Sequence, residues 1–151
     1  MILFLDFDGV THPVSGSPPF KDECINALSV VVSKLDASIV ITSTWRYDKT
    51  LDELRDLLGA RLGARVIDIT PMLDIDPFIH WPRAREVNEW INIHYSHDKP
   101  WAAIDDEEGN YPEGLSYITD RRLGFTNKDI DVLIKYIKTN NNLCELSSLL
   151  K

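Results

Sequence analysis

The chain has 151 residues, of which 44% are hydrophobic, and its 24 acidic and 16 basic residues give a formal net charge of −8. A chain of this size can bury one sizeable core without disulfides or structural metals, so we expect one domain over residues 1–151. The negative charge argues against non-specific binding to nucleic acid or to an anionic membrane.

The N-terminal third alternates between apolar runs and a helical pattern. Residues 2–5 are apolar at every position, as is typical of a central strand covered on both faces. A loop rich in Pro and Ser covers residues 12–19. Apolar residues then recur in steps of three and four over residues 20–35, which predicts a helix. Residues 39–41 are the second predicted strand.

The middle of the chain continues this alternation. Thr50 and Glu53 have the spacing of a capping box, and we expect their helix to end at Gly59. Residues 66–69 are a third predicted strand. Residues 71–82, rich in Pro and Asp, form an irregular connection.

The C-terminal third supplies two more strands and two more helices. An apolar helical face covers residues 87–94, a short apolar strand is predicted at 101–104, and a final strand is predicted near 116–119. Thr126 is the predicted N-cap of a last helix over residues 130–137. The whole pattern predicts an α/β fold, a three-layer α/β/α sandwich with a Rossmann-like parallel sheet.

Cysteine usage and the first residues indicate a cytoplasmic protein with no membrane contact. Cys24 and Cys144 have neither a disulfide framework nor a zinc-type spacing around them. The apolar start runs into Asp6, far short of the ~18 apolar residues that a membrane span requires. It also lacks the basic flank of a signal peptide.

Polar residues follow directly after several of the predicted strands. Ligands of open parallel sheets bind beyond the carboxyl ends of the strands, so we expect these residues to share one rim. Carboxylates brought together repel each other, and a divalent cation removes the conflict; Mg²⁺ prefers hard oxygen ligands and leaves positions for phosphate. The sequence thus predicts a site of carboxylates, Mg²⁺ and phosphate, with these candidates: Asp6, Asp8, Thr42, Ser43, Thr44, Asp105 and Asp106.

The same segments carry a family resemblance. The run Asp6-Phe7-Asp8-Gly9-Val10 after an apolar strand resembles motif one of the haloacid dehalogenase-like (HAD) superfamily. Motifs two to four follow in the proper order, at residues 39–43, at Arg83 and at residues 104–106. The closest similarity is to the HAD domain associated with Swiss Army Knife RNA repair proteins, on these further details: His12-Pro13, Ser43-Thr44-Trp45-Arg46, Thr70-Pro71, Glu86-Val87, Trp90 and Gly124-Phe125-Thr126.

The resemblance implies a phosphatase that works through an aspartyl-phosphate. Asp6 would be the nucleophile, and Asp8 would protonate the leaving oxygen and later activate water. Mg²⁺ would be held by Asp6, by the backbone carbonyl of Asp8 and by Asp105. Asp106 would bind the metal through a water or orient a neighbouring ligand.

The phosphate contacts leave alternatives open. Ser43 would donate a hydrogen bond to the phosphoryl group, but a strand end one residue earlier would present Thr42 instead. Thr44 could offer its backbone amide.

The basic residue of motif three is also open between two arginines. Arg83 is the better match and Arg85 competes with it, while lysine is usual in the superfamily. Arg46 is a further candidate phosphate ligand.

The substrate is expected to reach an open site. The intervals 11–20 and 70–82 are too short for a folded cap domain. The resemblance suggests the end phosphate of a nucleic acid, or a phosphorylated small molecule such as a nucleotide. Two competing functions are a non-catalytic phosphate-binding or interaction module and a phosphotransferase. The sequence does not define an oligomeric state.

The histidines and tryptophans are interpreted as structural. The histidines lack a metal-ligand spacing, so we predict surface or packing roles for His12, His80, His94 and His97, of which only His12 lies near motif one. We predict core positions for the aromatic residues beside strands and on helical faces, with the loop residue Trp81 as the exception, among Trp45, Trp81, Trp90 and Trp101.

Overall fold

A five-stranded parallel sheet organises the protein. The computed structural model describes residues 1–15, 20–74, 76, 78–94, 98–140 and 150. Its strands lie in the order β3-β2-β1-β4-β5, and every pairing is parallel. They are β1 (Ile2–Leu5), β2 (Ser38–Ile41), β3 (Val66–Ile69), β4 (Trp101–Asp105) and β5 (Ser116–Ile118). The predicted α/β fold with a Rossmann-like sheet is confirmed.

Helices cover both faces of the sheet and make three layers. They are α1 (Asp22–Leu35), α2 (Leu51–Gly63), α3 (Pro82–Ile93) and α4 (Asp129–Thr139). Leu3 and Leu5 of β1 pack into the core cluster formed with α1, α2 and α4, whereas Ile2 and Phe4 pack toward α3. Strand β1 is therefore covered on both sides, as its continuous apolar sequence predicts.

Helix α2 begins as predicted and ends later. The Thr50 hydroxyl accepts from the Glu53 backbone N–H, and the Glu53 carboxylate accepts from the Thr50 N–H at 2.7 Å, so the capping box is present. Gly59, with φ 75°, is non-helical and ends the first helical segment, as predicted. A further helical turn, which the sequence did not predict, extends α2 to Gly63 and buries Leu62 in the core.

Helix α4 begins later than predicted. Its first residue is Asp129 and its N-cap is Lys128, so the prediction of Thr126 as N-cap is wrong. The Thr126 hydroxyl and backbone N–H both donate to Asp129 Oδ2, each at 2.7 Å. The Asp129 backbone N–H donates to the Thr126 backbone carbonyl at 3.0 Å and not to the hydroxyl, so the hydroxyl does not cap the helix.

The connections that could hold a cap domain are loops. In the described parts of residues 6–21 and 70–81, the only regular pairing is an isolated bridge between Asp8 and His12. The described residues of these two connections therefore contain no cap domain, as the sequence predicts.

Among all the residues that the structure describes, none of the helices is long and apolar enough to cross a bilayer. Cys24 is a buried free thiol, and Cys144 and His97 lie outside the described residues.

Candidate active site

The turn after β1 brings Asp6 and Asp8 to the carboxyl edge of the sheet. Gly9 in this turn has φ +69°, and a Cβ there would lie 2.5 Å from Asp106 Oδ2. Only glycine allows both this backbone conformation and this close approach. The Thr119 hydroxyl donates to the Gly9 carbonyl at 2.7 Å and fixes the turn against the segment after β5.

Three carboxyl groups meet where β1 and β4 end. Strand pairing aligns Leu5 with Ile104, so the residues that follow, Asp6 and Asp105, lie side by side. One oxygen each of Asp6, Asp105 and Asp106 lies within 4.8 Å of the others. Burial, and then the charge of Asp105, raise the pKa of Asp6 to about 7. Burial also raises the pKa of Asp105, and it raises that of Asp106 to about 6.

Fixed donors hold the two acids from β4. The buried Asp105 Oδ1 accepts from the Glu107 backbone N–H at 2.9 Å and from Asn110 Nδ2 at 3.0 Å. The Asp106 carboxylate pairs with Arg121 Nε at 3.2 Å. These contacts orient the carboxyl groups toward the rim of the sheet.

Asp8 is held apart from the three-carboxylate cluster. Its Oδ2 accepts from Trp45 Nε1 at 2.9 Å, and its Oδ1 lies 3.2 Å from His12 Nε2. Its side chain remains 40% exposed. Asp8 therefore has a different environment from Asp6 only two residues away.

The structure separates Thr42 from Ser43. The backbone N–H of Thr42 donates to the Leu5 carbonyl at 2.9 Å, which sets Thr42 beside Asp6 on the adjoining strand. Its buried hydroxyl lies near that of Tyr111, and neither makes a hydrogen bond of ordinary geometry. Ser43 Oγ instead accepts from Trp45 N at 3.4 Å and caps the short 3-10 helix Thr44–Tyr47. The position favours Thr42 as the hydroxyl next to Asp6.

The two candidate arginines of α3 also differ in position. Arg83, whose side chain is 13% exposed, donates to Glu86 Oε2 at 2.9 Å and lies close enough to Asp6 for their charges to interact. Burial lowers the pKa of Arg83, but the hydrogen bond and charge of Glu86 and the charge of Asp6 raise it more, so the net shift is upward. Arg85 Nε donates to the His80 carbonyl at 3.2 Å.

Arg46 lies beneath the site. Its guanidinium is buried, pairs with Glu86 at 2.7 Å, and donates to the backbone carbonyls of Thr42, Ser43 and Thr70. These partners occupy the donors that a phosphate would need. The expectation that Arg46 binds phosphate is therefore replaced by a structural role.

A cavity of about 460 Å³ opens above these groups. Charged and polar residues line it together with several apolar side chains. Its lining includes Asp6, Asp8, Thr44, Tyr47, Leu73, Ile79, Arg83, Asp106, Asn110 and Arg121.

Comparison with protein families identifies the chain. Residues 2–130 match the family described as the HAD domain in Swiss Army Knife RNA repair proteins. The chain belongs to this family. No curated protein and no solved structure matches it. At the level of the family, membership indicates a phosphatase-type hydrolase, and the matched segment contains every residue of the cavity named above.

The acidic cluster of this HAD domain suits a divalent cation. Its carboxyl groups supply hard oxygens close together, and their raised pKa values reflect burial and mutual repulsion that a cation would relieve. Of the four aspartates predicted to bind metal, Asp6, Asp105 and Asp106 come together through their side chains. The carboxylate of Asp8 does not join them, and a role for its backbone carbonyl stays a prediction.

Sequence reasoning missed several residues around the HAD site. The prediction of surface or packing roles for His12 and a core role for Trp45 is incomplete, since both rings pack together and also contact Asp8. Glu86 could have been found by its i, i+3 spacing from Arg83 on one helix face. Asn110 carries no local signal, because it reaches Asp105 from the 3-10 helix Glu108–Asn110 in an otherwise irregular loop.

Proposed function

We propose that this HAD domain is a Mg²⁺-dependent phosphatase in which Asp6 is the nucleophile. One observation carries the proposal: Asp6 lies between an acidic pair, Asp105 and Asp106, and the cation of Arg83, in the lining of an accessible cavity. A second carboxylate, Asp8, lines the same cavity with separate partners. This arrangement separates a nucleophile from a proton donor.

In the first step, Asp6 attacks the phosphorus atom of a phosphate ester. The bond from Asp6 to phosphorus forms while the bond from phosphorus to the ester oxygen breaks. Asp8 gives its proton to the departing oxygen, which leaves as an alcohol. Arg83 offsets negative charge on the phosphoryl oxygens, and the Thr42 hydroxyl beside Asp6 is the proposed donor to them.

In the second step, water attacks the phosphorus of the aspartyl-phosphate. Asp8, now a carboxylate, takes a proton from that water, and the bond between Asp6 and phosphorus breaks. Inorganic phosphate leaves, Asp6 is regenerated as a carboxylate and Asp8 as an acid. The same group thus serves both half-reactions.

We propose Asp6, Asp105, Asp106 and the backbone carbonyl of Asp8 as the residues that hold Mg²⁺. When bound, the ion would neutralise carboxylate charge and stabilise negative charge on the phosphoryl group. Asn110 and the Glu107 N–H keep Asp105 oriented toward the cluster.

For the substrate, we propose a phosphate at the end of a nucleic acid, or on a nucleotide. The description of the family as RNA repair proteins supports this choice. The lack of a cap in the described residues also supports it, because a large molecule could then present its terminus. The cavity lining offers Tyr47, Leu73 and Ile79 as apolar surface for a base. The net charge of −8 favours recognition of the terminus over broad backbone binding.

The test is a phosphate-release screen with and without Mg²⁺. It compares p-nitrophenyl phosphate, nucleotides, and oligonucleotides with a 5′- or 3′-phosphate, with Asp6→Asn as the matched control. We expect Mg²⁺-dependent release that Asp6→Asn abolishes. Binding of phosphate esters without turnover would indicate a non-catalytic module. Appearance of the phosphoryl group on an added alcohol in preference to water would indicate a phosphotransferase.

A further inference from the structure

Two ring N–H groups hold the carboxylate of Asp8. Trp45 Nε1 donates to Oδ2 at 2.9 Å, and His12 Nε2 lies 3.2 Å from Oδ1. Each oxygen thus has its own partner, while the side chain stays 40% exposed at the cavity. Two contacts to two oxygens define the plane of a carboxylate, which a single contact would leave free to rotate.

The imidazole of His12 is itself fixed from behind. The Thr11 hydroxyl oxygen lies 3.2 Å from His12 Nδ1 and 3.0 Å from the Phe7 carbonyl. When the hydroxyl donates its proton to Nδ1, the neutral ring carries its N–H at Nε2, which faces Asp8. The buried ring also stacks on Phe20, with centroids 5.5 Å apart and an interplanar angle of 14°. A flipped ring would lose both polar contacts, so the edge with Nε2 is kept on Asp8.

The indole of Trp45 is fixed by the same aromatic cluster. Its ring centroid lies 5.8 Å from that of Phe7 and 5.3 Å from that of Phe20. An indole N–H is only a donor, so Trp45 cannot exchange a proton with Asp8 and can only orient it.

We propose that His12 and Trp45 are positioning residues that aim Asp8 at the leaving oxygen of the substrate. The inference rests on the proposed phosphatase function. A general acid is effective only within hydrogen-bond reach of the atom that it protonates. Without its two partners, the Asp8 side chain could turn toward the cation site shared by Asp6, Asp105 and Asp106. The ring contacts keep the proton-transferring carboxyl group separate from that cluster.

The test uses two esters that differ in their need for a proton donor. An alkyl phosphate must have its leaving oxygen protonated, whereas p-nitrophenyl phosphate releases a stable anion. Trp45→Phe keeps the packed ring and removes the N–H group, so we expect kcat for the alkyl ester to fall roughly tenfold or more beyond the loss for the aryl ester, with little change in KM. His12→Ala should show the same selectivity, and His12→Gln, which keeps an N–H donor, should recover part of it.

Leu62→Ala is the structural control, because Leu62 is buried in the core at the last turn of α2, at the end of that helix away from His12 and Trp45. We expect it to lower both rates by the same factor. Equal losses on both esters in Trp45→Phe would overturn the positioning role while leaving the phosphatase intact. In an Asp8→Asn background, Trp45→Phe should cost nothing further on the alkyl ester, and an additive loss would also overturn it. A wild-type protein that releases phosphate neither from these esters nor from nucleotides and phosphate-ended oligonucleotides would instead overturn the proposed function.

Discussion

Glu86 and Arg46 form a buried ion pair at 2.7 Å, with side chains 3% and 0% exposed. The same carboxylate oxygen of Glu86 accepts from Arg83 at 2.9 Å. One buried acid thus holds both a structural arginine and an arginine that lines the cavity. Removing it would leave two cations without their shared partner.

Glu86→Gln should therefore destabilise the protein by about 3–5 kcal/mol, because a buried charge loses its counter-ion. The free energy of unfolding from urea titrations measures this change. The matched control is Asp52→Asn, which breaks a pair with Arg55 in which the Asp52 side chain is 88% exposed, and which should change stability little. Equal effects of the two substitutions would contradict the importance of the buried pair.

Gly9→Ala should impair the site through a direct clash. The new Cβ would lie 2.5 Å from Asp106 Oδ2, and the residue would keep an unfavourable φ of +69°. We expect a loss of phosphatase activity of roughly tenfold or more, as for other displacements of catalytic groups. Gly114→Ala is the matched control, since Gly114 has φ +82° and nothing within 4 Å of its added Cβ. If both variants lose activity alike, backbone strain and not the contact with Asp106 is responsible.

The stability of the metal-free protein should depend on the charge of Asp6. Its pKa is about 7 in the folded state against 3.8 for the ordinary carboxyl group. The folded state therefore binds this proton more tightly than the unfolded state. The stability that this proton contributes is complete below about pH 4 and is lost as the pH rises through about 7. In EDTA, Asp6→Asn should gain stability relative to the wild type as the pH increases from 5 to 8.

Melting temperatures of both proteins across this pH range measure the difference, and Mg²⁺ should raise the wild-type melting temperature more at pH 8 than at pH 5. If the melting temperature of Asp6→Asn relative to the wild type falls as the pH rises, the result would contradict the burial of an ionised Asp6.

Thr42 and Ser43 should have separable roles. Thr42→Val keeps the shape and removes the hydroxyl beside Asp6, so we expect turnover to fall roughly 10²-fold, as when other transition-state donors are removed, and Thr42→Ser to retain most of it. Ser43→Ala removes the cap of the 3-10 helix and should mainly cost about 1 kcal/mol of stability. Steady-state kinetics with urea titrations distinguish the two. The reverse pattern would assign the donor role to Ser43.

The sheet and the acidic cluster were accessible from sequence because they depend on local patterns. Runs such as residues 2–5 and 39–41 are apolar without interruption, and carboxylates that follow parallel strands must meet at one edge. The start of α4 could not be placed from sequence, because the Asp129 N–H donates to the backbone carbonyl of Thr126 and not to its hydroxyl, a choice that spacing does not decide.

The positions of the arginines and of Trp45 required the tertiary structure. Arg46 is a candidate phosphate ligand from the sequence, but its guanidinium pairs with Glu86 of α3, which is distant in the chain. Trp45 is an aromatic residue of the kind that usually packs in a core, and it is half-buried. Only the fold shows that its ring N–H donates a hydrogen bond to Asp8. Side-chain partners that are distant in sequence leave no periodicity to read.

Strand β1 occupies the middle of the sheet, between β2 and β4, and Leu5 pairs with Ile104. During synthesis, β1 and the nucleophile that follows it are made long before β4 exists to complete the pairing. Until then, one side of an apolar strand has no partner, which is the kind of unsatisfied edge that promotes aggregation of nascent chains. Truncations that end before β4 should be both inactive and poorly soluble, because β4 is the second partner of β1 and leads into Asp105 and Asp106.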